Sequence, residues 1–224
     1  MGAPANLEPR GLPYRVEEAA SRLVARPAFW VLLLAAVVSW PVTRAVRAAL
    51  PPPLPVLAEL PRFELTDEGG RPFGSRDLQG KVWVASFIFT RCPTICPRIT
   101  ARMAEVQRRT QQLAPALHLV SFSVDPGYDT PERLRDYARA HHASPRLWSF
   151  LTGPEEAVRR AVVDGLKVSM GRERDDGSAE AIFHGSHLVL VDARARVRGY
   201  YDPEEPGALD RLVRDAGLLV NRGG

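Results

Sequence analysis

The feature that most constrains the fold is an uninterrupted apolar run, Val82-Trp83-Val84-Ala85-Ser86-Phe87-Ile88-Phe89, which leads straight into Thr90-Arg91-Cys92-Pro93-Thr94-Ile95-Cys96-Pro97. A short run of this kind, opened by Leu78-Gln79-Gly80-Lys81, reads as a strand buried within a sheet. The amphipathic segment behind it reads as a helix from about Pro97 to Leu113. The junction holds both cysteines of the chain. A strand that delivers cysteines to a helix start is a reactive place, because first-turn amides and the helix dipole stabilise a thiolate.

Three residues separate Cys92 from Cys96, where thioredoxin-type redox sites carry two. If the helix reaches this far, the two stand at i and i+4, roughly 5–6 Å apart at Cβ. That separation suits two sulfurs on one soft metal ion, and it suits a Cys92–Cys96 disulfide after a small backbone adjustment. The bland alternative is a pair of buried, unreactive thiols. A loop this small is a poor structural staple. Two thiolates leave an ion under-coordinated, so a third ligand must come from the five histidines. His118 lies inside a strand pattern and reads as a filler. His141 and His142 close a helix, where a charged ring favours the dipole. His184 and His187 flank the entry to a core strand, and strand ends are where distant residues meet, so this pair is the better source.

At 224 residues the chain suits one domain plus an appendage. The formal charge of +4 and pI near 9.4 come from scattered arginines, with no basic stripe carrying interleaved aromatics. Nucleic acid is therefore not an expected partner. Residues 1–26 are polar and Arg-rich and are expected to face the cytoplasm. Residues 27–43 carry no charge and place Trp30 and Trp40 near the ends, as a short transmembrane anchor would. Residues 44–59, with Pro51-Pro52-Pro53-Leu54-Pro55, read as a stiff linker, and residues 60–224 as the folded domain. The expected location is the inner membrane, single-pass, with the soluble domain facing the periplasm.

Within the domain, Phe63-Glu64-Leu65-Thr66 alternates like an edge strand, followed by the turn Asp67-Glu68-Gly69-Gly70. His118 to Asp125 is a strand. Thr130-Pro131 starts a helix with Thr at the N-cap and Pro at N1, running to about His142. Residues 147–151 form a short strand, and Gly153-Pro154-Glu155-Glu156 opens a helix to Asp164. A polar stretch around residues 171–177 reads as a loop or hairpin insertion. Residues 187–192 and 197–201 pair as a hairpin before a final helix faced by Leu209, Leu212, Val213 and Ala216. The resulting β–α–β–α–β–α–β–β–α order implies an α/β fold, a central mixed sheet flanked by helices.

Three motifs in this order resemble the Sco/SenC proteins: Cys92-Pro93-Thr94-Ile95-Cys96-Pro97; Ser123-Val124-Asp125-Pro126 before Asp129-Thr130-Pro131-Glu132; and a histidine eight residues ahead of Asp192. The resemblance covers roughly residues 60–219 and the anchor. It implies a thioredoxin-like fold, copper as the bound metal, and Cys92, Cys96 and His184 as ligands, with His187 the fallback. It also implies a role for Asp125 beside the site. Members help assemble the dinuclear copper site of cytochrome c oxidase. The expected partners are thus the oxidase's copper-bearing subunit, other copper chaperones or thiol reductants, and the membrane through the N-terminal helix. The donor chemistry agrees: two thiolates and an imidazole suit Cu(I), and Cu(II) with an added oxygen. Structural zinc prefers a closed set of four. A thioredoxin-like oxidoreductase usually carries a proline just before the strand at 187–192, and none stands here. The chain is therefore expected to be a copper carrier rather than an enzyme. A thiol–disulfide reductase that keeps the oxidase's ligand cysteines reduced is the main alternative, and a redox or copper sensor a third.

Overall fold

The computed structural model describes residues 25–47, 52–172 and 182–222. The chain divides into two compact units between Pro53 and Leu54. The expected cytoplasmic segment, residues 1–26, lies almost wholly outside the described residues.

The first unit contains one helix, α1 (Pro27–Arg47). It forms where the uncharged run predicts and continues through Pro41 to Arg47. Its side chains from Trp30 to Trp40 are largely exposed, Leu32 and Trp40 each by 71 %. Among the described residues, however, no helix is long and apolar enough to cross a membrane. The expectation of a spanning segment at 27–43 is corrected accordingly. Seventeen uncharged residues make about 26 Å of helix at 1.5 Å per residue, short of a hydrocarbon core of about 30 Å. Ser39, Pro41, Thr43, Arg44 and Arg47 further dilute its second half.

The second unit is built on three parallel strands, β4 (Val82–Ile88), β5 (Leu117–Ser123) and β6 (Trp148–Thr152), in which every residue is buried. Both faces of this sheet centre are covered, which is why these strands read as continuous apolar runs rather than alternating ones. The remaining strands of the sheet are β1 (Ala58–Glu59), β2 (Glu64–Asp67), β3 (Pro72–Gly74), β9 (Leu188–Val191) and β10 (Arg196–Tyr201). Their order across the sheet is β1-β10-β9-β4-β5-β6-β2-β3. All pairings outside the β4–β5–β6 centre are antiparallel. A separate antiparallel pair, β7 (Met170–Arg172) and β8 (Ile182–His184), flanks the expected insertion, of which residues 173–177 lie outside the described residues.

The helices are α2 (Ile95–Thr110), α3 (Pro131–Ala140), α4 (Glu155–Arg159, continuing into a wide π turn to Gly165) and α5 (Ala208–Asn221). Helix α2 buries Cys96, Ile99, Thr100, Met103, Val106 and Thr110, a stripe at helical spacing. Helix α3 starts as its sequence predicts, with Pro131 at N1 and the Thr130 hydroxyl accepting from the Arg133 N–H at 3.4 Å. It ends at Ala140 rather than His142, because His142 takes a positive φ of 55°.

The C-terminal end of the segment read as linker joins the folded unit. Ala58 and Glu59 pair with Val197 and Arg196. Arg198 donates to the carbonyls of Leu54 and Pro55, the latter at 3.0 Å. Prolines lack the N–H but keep the carbonyl, so a Pro-rich segment can still be held by a donor side chain.

Two hairpin turns share one design. In each, an aspartate caps the turn: Asp67 Oδ1 accepts from the N–H of Gly69 and Arg71, and Asp192 Oδ1 from those of Arg194 and Arg196. An arginine four residues on then closes an ion pair, Arg71 at 2.9 Å and Arg196 at 2.8 Å. The fourth residue is left-handed in both, Gly70 at φ 79° and Ala195 at φ 58°. Glycine is free there and alanine is not. Ala195→Gly should therefore stabilise the fold by about 0.5 kcal/mol, the relief of left-handed strain less the greater chain entropy of glycine. Urea denaturation checks this; a lowered midpoint would contradict it.

Candidate metal centre

The cysteine loop leaves the C-terminal end of β4 and enters α2. The helix starts at Ile95, so Cys92 lies outside it and the expected i, i+4 helical pair does not form as such. The two residues still meet. The Cys92 N–H donates to the Phe89 carbonyl at 3.2 Å, and the turn sets Cys92 Sγ 3.4 Å from the Cys96 N–H, which donates to it. The sulfur thereby takes a place that a capping oxygen usually fills, since Thr94 at the N-cap makes no side-chain cap. Both are buried thiols rather than a disulfide, Cys92 8 % exposed and Cys96 fully enclosed.

Their environments push them apart. Burial works to raise the Cys92 pKa, but the backbone N–H groups of Cys96, Thr94 and Ile95, with the Cys96 thiol, outweigh it and leave the value below that of an ordinary thiol. Cys96 is raised far above the usual range, chiefly by burial and further by neighbouring Cys92. The arrangement is a thiolate-prone sulfur beside one that keeps its proton until something displaces it.

Two carboxylates from the loop after β5 hold the residues ahead of Cys92. Asp125 pairs with Arg91, through Nε at 2.8 Å and the terminal nitrogen at 2.7 Å. Asp129, fully buried, accepts from the Thr90 hydroxyl at 2.5 Å, the Thr90 N–H at 3.1 Å and the Ser123 hydroxyl at 2.6 Å. Burial raises its pKa above the ordinary carboxylate value, against those hydrogen bonds. The sequence singled out Asp125, whose partner proves to be Arg91. It gave Asp129 no role of its own, although Asp129 opens the Asp-Thr-Pro-Glu stretch that belongs to the second motif. The Arg91 guanidinium also lies over the Tyr128 ring at 4.7 Å, with Arg133 against the same ring at 3.9 Å.

The histidines separate. His118 is buried, stacked on Phe73 and bonded to the Ser149 hydroxyl at 3.0 Å, with its pKa lowered by burial to about 4. It is a core residue. His141 packs on Tyr137, ring centroids 4.4 Å apart. His187 is exposed at the entry to β9. The backbone of His184 ends β8 opposite Met170, and its side chain lies outside the described residues. Among the described residues, no group of three His, Cys, Asp or Glu side chains is placed to hold a metal.

The sequence model of the SCO1/SenC family matches residues 55–215. A SCO1/SenC family lipoprotein from Bacillus anthracis is 34 % identical, with a TM-score of 0.68 over 76 % of this chain and 99 % of that one. BsSco, a member of the Sco family of cytochrome c oxidase assembly proteins in which a disulfide switch was identified, is 29 % identical, with a TM-score of 0.66 over 75 % and 97 %. ScoI of Bradyrhizobium japonicum, whose structure has copper bound, shares the fold at 23 % identity, with a TM-score of 0.62 over 72 % and 99 %. The mixed sheet flanked by helices matches these thioredoxin-like structures, and the family match spans both cysteines, Asp125 and His184. The chain belongs to the SCO1/SenC family.

Proposed function

We propose that this protein carries copper to the dinuclear copper site of cytochrome c oxidase, binding it through Cys92, Cys96 and His184. The observation that carries the reading is the pair of adjacent, buried thiols at the strand–helix junction, one hydrogen-bonded to the backbone of the other residue. Soft thiolates select Cu(I), and the copper-bound relative shares this fold. Uptake must displace the Cys96 proton, so affinity rises with pH through the neutral range. The copper-bearing oxidase subunit is the proposed acceptor.

The test is an anaerobic Cu(I) and Cu(II) titration with thiol state measured in parallel. Cys92→Ser or Cys96→Ser should abolish tight Cu(I) binding, because a hydroxyl neither ionises near neutral pH nor matches a soft ion. His184→Ala should spare disulfide formation while sharply reducing Cu(II) binding. Wild-type affinity for both copper states in His184→Ala would transfer the role to the second reading, a thiol–disulfide reductase. The unequal thiols of Cys92 and Cys96 favour that alternative over a sensor. Asp125 acts by fixing Arg91 beside Cys92, so Asp125→Asn should slow metal delivery more than it weakens binding.

The domain is proposed to work on the periplasmic side of the inner membrane, held there by the exposed apolar side chains of α1. A reporter fused at the C-terminus should be active only outside the cytoplasm. Activity confined to the cytoplasm would refute the location.

A further inference from the structure

Cysteine and histidine are not the only side chains with a soft donor for copper. The hairpin that carries His184 brings in a third soft donor. Strands β7 and β8 pair antiparallel in the register Met170↔His184, Gly171↔Phe183 and Arg172↔Ile182. Directly opposed residues of an antiparallel pair share one face, their Cβ atoms roughly 4.5–5.5 Å apart. Positions 170 and 184 are therefore neighbours on one face of this hairpin, and a slip of one residue would separate them.

That register is held at the base of the hairpin. The Gly185 N–H donates to the Ser169 carbonyl at 2.9 Å, one step beyond the Met170↔His184 pair. A Cβ at Gly185 would sit 2.7 Å from Val168 Cγ1, so only glycine lets the end of β8 lie this close to the start of β7. Met170 itself is part-buried and packs against the hydrophobic core. Of the chain's three methionines, Met103 is sealed in the core and Met1 begins the chain. Among the described residues, Met170 is the methionine paired opposite a proposed ligand.

We propose that the Met170 thioether is an additional donor for bound copper, engaged with Cu(I) and released or lengthened with Cu(II). The inference rests on the reading of Cys92, Cys96 and His184 as ligands. A thioether is a neutral, soft donor that adds no charge to a site already holding two thiolates. It favours the monovalent ion over the divalent one. Its flexible, unbranched stem can follow a metal that changes its preferred geometry.

The experiment uses the full chain with selenomethionine in place of methionine, loaded anaerobically with one Cu(I), beside Met170→Leu and His184→Ala. The selenium absorption edge should show a copper neighbour at bonding distance in the wild type and none in Met170→Leu. Met170→Leu should lower Cu(I) affinity by about tenfold and leave Cu(II) affinity within about twofold, the signature of losing a soft donor rather than the fold. No selenium–copper contact in the wild type, or equal losses for both copper states in Met170→Leu, overturns the proposal. If His184→Ala also leaves both affinities unchanged, the parent reading falls with it. If His184→Ala loses Cu(II) while Met170→Leu is silent, only the thioether is refuted.

Discussion

In the reduced, metal-free protein, Cys92 should react with iodoacetamide at least about a hundredfold faster than Cys96 near neutral pH. The reacting species is the thiolate, and each pKa unit between two thiols changes its fraction about tenfold. Cys92 is pulled below the ordinary value by the N–H groups of Cys96, Thr94 and Ile95 despite its burial, while Cys96 is pushed far above it by enclosure. Access runs the same way, since only Cys92 retains any exposed surface. Peptide mass spectrometry after timed alkylation reads both rates in one sample. The Cys92 rate should level off at a lower pH than that of an ordinary thiol, whereas the Cys96 rate should still be climbing there. Comparable rates, or a faster Cys96, would refute this ordering. It would also remove the attacking thiol from the reductase alternative.

The second large effect lies at the opposite end of the sheet. Asp192 has no exposed side-chain surface and pairs with Arg198 at 2.6 Å and Arg196 at 2.8 Å. Asp192→Ala should cost about 3–5 kcal/mol, because it leaves the buried Arg198 cation without its counter-charge. Asp192→Asn should keep the turn and lose the charge. Burial works to raise the Asp192 pKa, but Arg196, Arg198 and two backbone N–H groups outweigh it, and the folded value lies below the ordinary one. Its contribution is thus fully present above the unfolded carboxylate pKa, near 3.9, and is lost as pH falls through the lower folded value. Urea denaturation at several pH values should show the gap between wild type and Asp192→Asn closing only in that acid window. A gap that persists at the lowest pH would show that Asp192 acts through shape alone.

The buried centre of the sheet was legible because strands covered on both faces must be apolar throughout, and 82–89, 118–125 and 147–151 announce themselves that way. Thr130-Pro131 announced its helix through capping chemistry. What escaped was pairing over distance. Ala58-Glu59 is too short to show a period, and its place in the sheet depends on Arg198, some 140 residues away in the chain. The start of α2 at Ile95 escaped for a different reason: the cap is a cysteine sulfur, outside the usual set of capping residues. At the site, the sequence pointed to both cysteines by residue type and, through the family resemblance, to Asp125 and His184. It could not show that Asp125 faces Arg91, or that Asp129 grips Thr90. The register that sets Met170 opposite His184 is likewise a property of the hairpin rather than of either residue.

Both borders of the large sheet are short and proline-marked. On one side β1 has two residues, with Pro55 and Pro61 close by; on the other β3 has three and begins at Pro72. Such borders expose few unpaired backbone groups, so another chain finds no length of strand on which to extend the ladder. Recognition by strand addition, a common way for an extended peptide to dock, is closed to this sheet. A protein that received copper from this one, as proposed, would instead have to read loops and side chains; the loop with Cys92 exposes Pro93 and Thr94, and the exposed Tyr128 lies against its Arg91. Under the proposed function, discrimination among partners then falls to the same few residues that would hold the metal, so a change of client would have to touch the copper chemistry itself.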